Sequence, residues 1–124
     1  MSLILIVEDN DKNLKLVRDV LQASGYATIE AGDAEHGIEL AREQRPHLIL
    51  MDIQLPGMNG IDALRVLRAD PVTAAIPVFA VTASVMQHDR KLITEAGFDA
   101  YVGKPINLRE FRDAVRRVLD GTAP

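Results

Sequence analysis

The sequence contains no cysteine and no tryptophan, and its apolar runs are only about five residues long. Without cysteine there can be no disulfide, no thiol nucleophile and no thiolate metal site, which favours a reducing, cytoplasmic compartment. The apolar runs fall far short of the ~20 residues that a membrane-spanning helix needs. The first residues also lack a basic stretch followed by a long apolar core, so we expect neither a signal peptide nor a membrane span.

An excess of positive charge is also missing. Lys and Arg number 14 against 18 Asp and Glu, giving a formal net charge of −4. No basic segment predicts nucleic-acid binding, so we expect no nucleic-acid partner. A length of 124 residues favours one domain. We expect that domain to cover residues 1–120, with a short tail at 121–124 and no second domain for output.

Five short apolar runs alternate with helical patterns along the chain. The runs predict strands, and Asp33, Asn59 and Asn107 are suited to cap the helices that follow three of them. This alternation predicts an α/β fold with a five-stranded, doubly wound parallel sheet, right-handed crossovers and five helices on both faces. Periodicity does not set the strand order. The predicted strands cover residues 3–7, 26–31, 48–51, 76–81 and 98–102.

The stretch over residues 48–60 organises this pattern. An apolar run typical of a strand buried on both faces ends at Asp52, and a loop containing Pro56 and Gly57 follows. In open parallel sheets, binding sites lie at the carboxyl ends of the strands. An Asp at this position is a metal ligand, a nucleophile or the cap of the next turn.

Polar residues follow four of the five predicted strands. Glu8 and Asp9 follow the first, Asp52 the third, Thr82 the fourth and Lys104 the fifth. Neighbouring carboxylates repel unless a cation joins them, and oxygen ligands without cysteine favour Mg²⁺ over zinc. The lysine and the hydroxyl could bind phosphate oxygens, while a carboxylate could attack a phosphoryl group. Each of these residues taken alone also fits a turn, a helix cap or an exposed position. Their joint placement at the ends of four strands favours a site that binds a cation and a phosphoryl group.

These motifs resemble the receiver domain of two-component response regulators. The resemblance rests on Glu8-Asp9, Asp52, Thr82-Ala83, Lys104-Pro105 and the loop at 55–60, and it extends over essentially the whole chain. It implies a flavodoxin-like strand order of 2-1-3-4-5. Within the family, the motifs are most like the stand-alone regulators of cell division and the cell cycle.

The resemblance implies that Asp52 accepts a phosphoryl group from a histidine kinase or a histidine phosphotransfer protein. It also implies that Glu8, Asp9, Asp52 and the backbone carbonyl of Gln54 hold Mg²⁺, with Mn²⁺ able to substitute. Such a protein is a phosphoacceptor that assists its own phosphorylation and dephosphorylation, rather than a conventional enzyme. It signals to a downstream protein partner.

The resemblance further implies a switch. Thr82 moves toward the phosphoryl group, Tyr101 turns inward, and the surface formed by the fourth helix, fifth strand and fifth helix changes. Lys104 is the family's site lysine, and a cis bond before Pro105 would aim it into the site. An aromatic residue at position 101 also fits simple packing. Arg109, Arg112 and Arg116 share a face of the fifth helix, which fits either an acidic partner or a solvated surface.

Three other functions compete with this one. A phosphatase with an aspartyl nucleophile needs a second acid two residues later, where this chain has Gln54. A flavin or nucleotide binder needs a glycine-rich phosphate loop after the first strand, whereas residues 8–11 are acidic or amide. The third is a receiver-like interaction module that acts without phosphorylation. A complete set of site residues argues against this third alternative.

Overall fold

The structure is a computed structural model that describes residues 2–55, 57–82, 87–104 and 106–120. Pro105 with its predicted cis bond, Ala83 and the predicted tail at 121–124 lie outside the described residues. No described helix is long and apolar enough to cross a membrane. The elements in chain order are β1 (Leu3–Val7), α1 (Asp11–Ala23), β2 (Ala27–Ala31), α2 (Ala34–Gln44), β3 (Leu48–Asp52), α3 (Gly60–Ala69), β4 (Val78–Thr82), α4 (Gln87–Ala96), β5 (Ala100–Gly103) and α5 (Leu108–Leu119).

The strands form one sheet in the order β2-β1-β3-β4-β5, and every pairing is parallel. This confirms the predicted α/β class and the strand order implied by the resemblance. Every residue of β3 and β4 is buried, whereas β2, at one edge, buries only Ala31 fully. The central position of β3 explains its unbroken apolar sequence, because helices cover both of its faces.

Two apolar layers lie on opposite faces of the sheet, since successive side chains of a strand point to opposite sides. One layer packs against α2, α3 and α4, and the other packs against α1 and α5. Both contribute several fully buried side chains, so the strands are held from both sides and their ends are fixed. The strand residues of the first layer include Leu5, Val7, Ile49 and Met51, and those of the second include Ile4, Ile6, Leu48 and Leu50.

Side chains that precede the helices cap them as the sequence predicts. Asp33 accepts a hydrogen bond from the backbone N–H of His36 at 2.7 Å, and Asn59 and Asn107 make the equivalent bonds at 2.9 and 3.1 Å. Asn10 also accepts from two N–H groups of α1, the helix that begins at Asp11. These bonds satisfy N–H groups that have no partner within the helix.

The strand boundaries differ from the prediction by one or two residues. Strand β3 continues through Asp52 instead of ending at residue 51. Strand β4 begins at Val78 instead of residue 76, since Pro77 has no N–H for the ladder and contributes only its carbonyl, which accepts from Ile49. Strand β5 begins at Ala100 instead of residue 98.

Arg68 of α3 joins three segments at the amino-terminal edge of the sheet. Its Nη1 donates to the carbonyls of Ala74 and Ile76 at 3.0 and 2.6 Å. Its Nη2 donates to the carbonyl of Gly97 at 3.4 Å and to Asp99 Oδ2 at 2.9 Å. The guanidinium therefore fixes the loop before β4 and the loop between α4 and β5 to the same helix.

We predict that Arg68→Met lowers the free energy of unfolding by about 1–3 kcal/mol, because it removes the guanidinium donor to the partly buried carbonyls of Ala74 and Ile76 and one donor to Asp99 Oδ2, which keeps the Val78 N–H. Arg65→Met is the matched control on the same helix. The Arg65 side chain is 73% exposed and forms an exposed ion pair with Asp62 at 3.5 Å. Its replacement should change stability by no more than about 0.5 kcal/mol in urea unfolding. Equal losses in the two variants would show that the Arg68 network contributes nothing specific.

Candidate functional site

Three carboxylates meet at the carboxyl ends of β1 and β3. Glu8 and Asp9 directly follow β1, and Asp52 is the last residue of β3. One carboxylate oxygen from each of the three lies within 4.8 Å of the others. Glu8 and Asp52 are buried, with 5% and 3% exposure, whereas Asp9 is exposed. The parallel pairing of β1 with β3 produces this cluster, because it places both strand ends at one edge.

Lys104 supplies the positive charge of the site. Its backbone N–H donates to the Thr82 carbonyl at 2.8 Å, which continues the pairing between β4 and β5 by one residue. Its Nζ lies 2.9 Å from Glu8 Oε1 and 3.0 Å from Asp52 Oδ2. The side chain thus reaches from the end of β5 to the ends of β1 and β3, and one ammonium group bridges two buried carboxylates.

Backbone donors orient the two buried carboxylates. The N–H of Gln54 donates to Asp52 Oδ1 at 2.9 Å, and the N–H of Asn10 donates to Glu8 Oε2 at 3.3 Å. Both oxygens of Asp52 therefore have a donor, one from the following loop and one from Lys104. Because its carboxylate is held on both sides, Asp52 has a defined position at the end of the central strand.

Burial and neighbouring charge shift the protonation of this cluster. Burial, together with the adjacent Asp52 carboxylate, raises the pKa of Glu8 to about 7, although Lys104 opposes the shift. Burial by itself would lower the pKa of Lys104, but its hydrogen bonds with Glu8 and Asp52 outweigh burial and raise that pKa. Two buried carboxylates and a third nearby exceed the single ammonium charge, so the cluster can accept a further cation.

The donor set suits a hard divalent cation. All three clustered side chains offer carboxylate oxygens, and no cysteine occurs in the chain. Mg²⁺ prefers oxygen ligands, uses one or two carboxylates and keeps several waters. Asp9 is exposed, so waters or a phosphate oxygen could reach a cation held by this cluster.

The remaining predicted site residues lie in different surroundings. Thr82 is the last residue of β4 and is 4% exposed. Tyr101 lies on β5, opposite Ala80 in the sheet, and is 39% exposed. The side chain of Gln54 is exposed, and its N–H faces Asp52. The sheet therefore brings Glu8, Asp9, Asp52, Thr82 and Lys104 to one edge as predicted. Tyr101 lies on β5, two residues before the end of that strand.

Residues 4–116 match the family described as the response regulator receiver domain. The chain belongs to this family. It is 45% identical over 116 residues to the polar-differentiation response regulator DivK of Brucella anthropi, and the match covers 94% of each chain. This similarity agrees with the regulator type that the motifs indicated.

Solved receiver structures share this fold. The receiver domain of sensor histidine kinase PA1611 from Pseudomonas aeruginosa PAO1 is 33% identical, with a TM-score of 0.88 and coverage of 96% of this chain and 98% of that one. Its crystal structure has a magnesium ion coordinated in the active-site cleft. A putative response regulator from Chloroflexus aurantiacus is 27% identical, with a TM-score of 0.91 and coverage of 96% and 98%.

Gly60 shapes the receiver site; it ends the loop at 55–60 that carries the family resemblance, but the sequence did not predict its packing. A Cβ atom at this position would lie 2.7 Å from the Asp52 carbonyl oxygen and 2.8 Å from the Ile53 Cα atom. The Gly60 N–H also donates to the Ile53 carbonyl at 3.0 Å. The start of α3 thus packs directly on the backbone of the central acid. In the sequence, Gly60 stands at the end of that loop, directly after the Asn59 cap.

We predict that Gly60→Ala lowers the free energy of unfolding by about 1–3 kcal/mol, because the added methyl overlaps backbone atoms that cannot rotate away. Gly32→Ala is the control. A Cβ at Gly32 meets no atom within 4 Å, so that variant should be as stable as the parent or slightly more stable. Denaturant unfolding of both variants measures the difference. A fully stable Gly60→Ala protein would mean that α3 shifts without cost.

Proposed function

We propose that this receiver accepts a phosphoryl group on Asp52 in a Mg²⁺-dependent reaction and uses it to control binding of a protein partner. The observation that carries the proposal is the buried Asp52 carboxylate, which is held by Lys104 and by the Gln54 N–H beside two further acids. The phosphodonor is a histidine kinase or a histidine phosphotransfer protein, as membership of the receiver family implies.

In the transfer, an Asp52 carboxylate oxygen forms a bond to phosphorus while the phosphorus–nitrogen bond of phosphohistidine breaks. The other ring nitrogen of the phosphohistidine carries a proton before transfer, so the products are an acyl phosphate on Asp52 and a neutral imidazole on the donor. Bound Mg²⁺, or Mn²⁺ in its place, would neutralise charge on the phosphoryl oxygens. Glu8, Asp9, Asp52 and the carbonyl of Gln54 are the proposed ligands.

Lys104 takes two roles in this scheme. Before transfer its ammonium group pairs with Glu8 and Asp52, and it balances part of their charge. After transfer it lies close enough to pair with a phosphoryl oxygen on Asp52. Thr82, at the end of the adjacent strand β4, offers a hydroxyl for another phosphoryl oxygen. The same residues would assist attack by water, which returns the protein to its unphosphorylated state.

Phosphorylation adds about −1.5 to −2 of charge beside Thr82 and Lys104. We propose that Thr82 moves toward that charge and that Tyr101 turns inward into the space it leaves. Tyr101 lines a surface groove together with Asn107, Phe111 and Ala114. A change at Tyr101 would therefore alter the surface made by α4, β5 and α5, where a downstream partner would bind.

The biological setting follows from the relatives. Similarity to the polar-differentiation response regulator DivK supports a role in cell-cycle or polarity control. The compartment that fits a histidine-kinase partner is the cytoplasm, and no nucleic-acid contact is needed for output through a protein. We take residues 1–120 as the extent of the receiver domain.

We predict that incubation with Mg²⁺ and acetyl phosphate adds one phosphoryl group to the wild-type chain, measured by intact mass. Asp52→Asn should gain none, because the amide cannot form the acyl phosphate. Asp33→Asn serves as the control, since Asp33 caps α2 and lies outside the acidic cluster. Its phosphorylation should match that of the wild type.

Each other outcome of that experiment contradicts the proposal. Phosphorylation that persists in Asp52→Asn would place the acceptor on another carboxylate. Phosphorylation that persists after Mg²⁺ is removed with EDTA would exclude the proposed metal role. A wild-type protein that binds Mg²⁺ but gains no phosphoryl group would favour an interaction module that acts without phosphorylation.

The chain has two tyrosines, Tyr26 and Tyr101, so ¹⁹F NMR of labelled tyrosine can report on the proposed switch. With 3-fluorotyrosine incorporated, we predict that Mg²⁺ and beryllofluoride shift the Tyr101 ¹⁹F signal and leave the Tyr26 signal in place. Thr82→Ala should reduce the Tyr101 shift, since the hydroxyl that follows the phosphoryl group is gone. A Tyr101 signal that does not respond in the wild type would refute the switch.

A further inference from the structure

A single side chain fixes the loop between β1 and α1. The Oδ1 atom of Asn10 accepts hydrogen bonds from the backbone N–H groups of Lys12 at 3.0 Å and Asn13 at 3.1 Å. The Asn10 carbonyl accepts from the Leu14 N–H at 2.9 Å. The side chains that cap α2, α3 and α5 each accept from one N–H group, whereas Asn10 accepts from two. Asn10 is therefore held against the first turn of α1.

The same residue contacts the acidic cluster through its backbone. The Asn10 N–H donates to Glu8 Oε2 at 3.3 Å, while Lys104 Nζ lies 2.9 Å from Glu8 Oε1. The Glu8 N–H donates to the carbonyl of Ala31 at 3.0 Å, so the backbone of Glu8 is fixed to the end of β2. Asn10 and Lys104 then orient its carboxylate from two sides. Because Glu8 is 5% exposed, water is poorly placed to replace a donor that moves away.

An asparagine suits this position because it caps the helix without adding charge. Asn, Asp and Ser are all strong capping residues. Glu8, Asp9 and Asp11 surround position 10, so an aspartate cap would add a fourth carboxylate to this loop. The two hydrogen bonds to α1 occupy Oδ1. Asn10 thus reaches the cluster through its N–H rather than through its side-chain oxygen.

We propose that Asn10 is a positioning residue for the divalent cation. By capping α1 it holds its own N–H against Glu8, and it thereby sets the affinity of the acidic cluster for Mg²⁺. Loss of a group that orients a metal ligand typically weakens metal binding about 10- to 100-fold. The inference rests on the Mg²⁺ site of the proposed function, and it adds that the first turn of α1 and the metal site act as one unit.

Mg²⁺ titration of the unphosphorylated full chain measures this role. At fixed ionic strength, the ¹⁵N-detected amide shift of Gln54, whose N–H donates to Asp52, gives the Mg²⁺ Kd. Asn10→Ala removes both hydrogen bonds to α1, and we predict that its Kd is about tenfold higher than that of the wild type. Asn10→Ser keeps a capping oxygen, so its Kd should stay within about twofold of the wild-type value.

Two further variants separate positioning from helix stability. Asn10→Gly lacks the side-chain oxygen, but glycine is tolerated at helix caps. Its urea midpoint should therefore fall only slightly, while its Mg²⁺ Kd rises as in Asn10→Ala. Asp33→Ala removes the cap of α2, which lies outside the acidic cluster. Its urea midpoint should fall, but its Kd should stay within about twofold of the wild-type value, because salt screens a distant charge.

Phosphorylation by acetyl phosphate gives an independent readout. The Mg²⁺ concentration that supports half the maximal rate should rise about tenfold in Asn10→Ala. The rate at saturating Mg²⁺ should stay within about twofold of the wild-type rate, because Asp52 and Lys104 are unchanged and the lost contact affects binding of the ion.

Several results would overturn this proposal. A wild-type Mg²⁺ Kd in Asn10→Ala and Asn10→Gly would make Asn10 a helix cap and nothing more. An equal loss of affinity in Asn10→Ser would show that capping is not the cause, and an equal loss in Asp33→Ala would assign the effect to general destabilisation. A wild-type chain that binds no Mg²⁺ would contradict the proposed function as well. Unchanged variants of a chain that does bind Mg²⁺ would contradict this inference alone.

Discussion

The pairing of one ammonium group with two buried carboxylates governs the organisation of this receiver. Lys104 lies 2.9 Å from Glu8 and 3.0 Å from Asp52, and all three come from different strand ends. Removing one partner of such a buried pair typically costs about 3–5 kcal/mol, because an uncompensated charge remains. The apolar layers on both faces of the sheet hold the three strand ends in place, so the charges can be kept together away from water.

This arrangement also connects structure with chemistry. Burial, together with the adjacent Asp52 carboxylate, raises the pKa of Glu8 to about 7. Three carboxylates against one lysine leave excess negative charge, which suits the cluster to a divalent cation. The same lysine and the adjacent β4 end then face any phosphoryl group that arrives on Asp52. Thr82 and Tyr101, the two residues of the proposed switch, lie on the paired strands β4 and β5.

The sequence was sufficient to predict the fold class, the helix caps and the grouping of Glu8, Asp9, Asp52 and Lys104, because apolar periodicity and the parallel arrangement place polar residues at one edge. The strand order came from the resemblance. Strand boundaries were less predictable: β4 begins only after Pro77, which has no N–H for the ladder, although the apolar run starts at residue 76. The network of Arg68 and the close packing of Gly60 depend on contacts between distant segments, and neither leaves a periodic signal in the sequence.

The central claim is that the phosphoryl group forms an acyl phosphate on Asp52. Borohydride reduction tests it directly, because it converts a phosphorylated aspartate to homoserine in the intact wild-type chain. After phosphorylation with Mg²⁺ and a phosphohistidine donor protein, peptide mass mapping should find homoserine at position 52 and at no other acid. Homoserine at Asp9, the corresponding reduction product at Glu8, or an unmodified Asp52 in a phosphorylated chain would contradict the account.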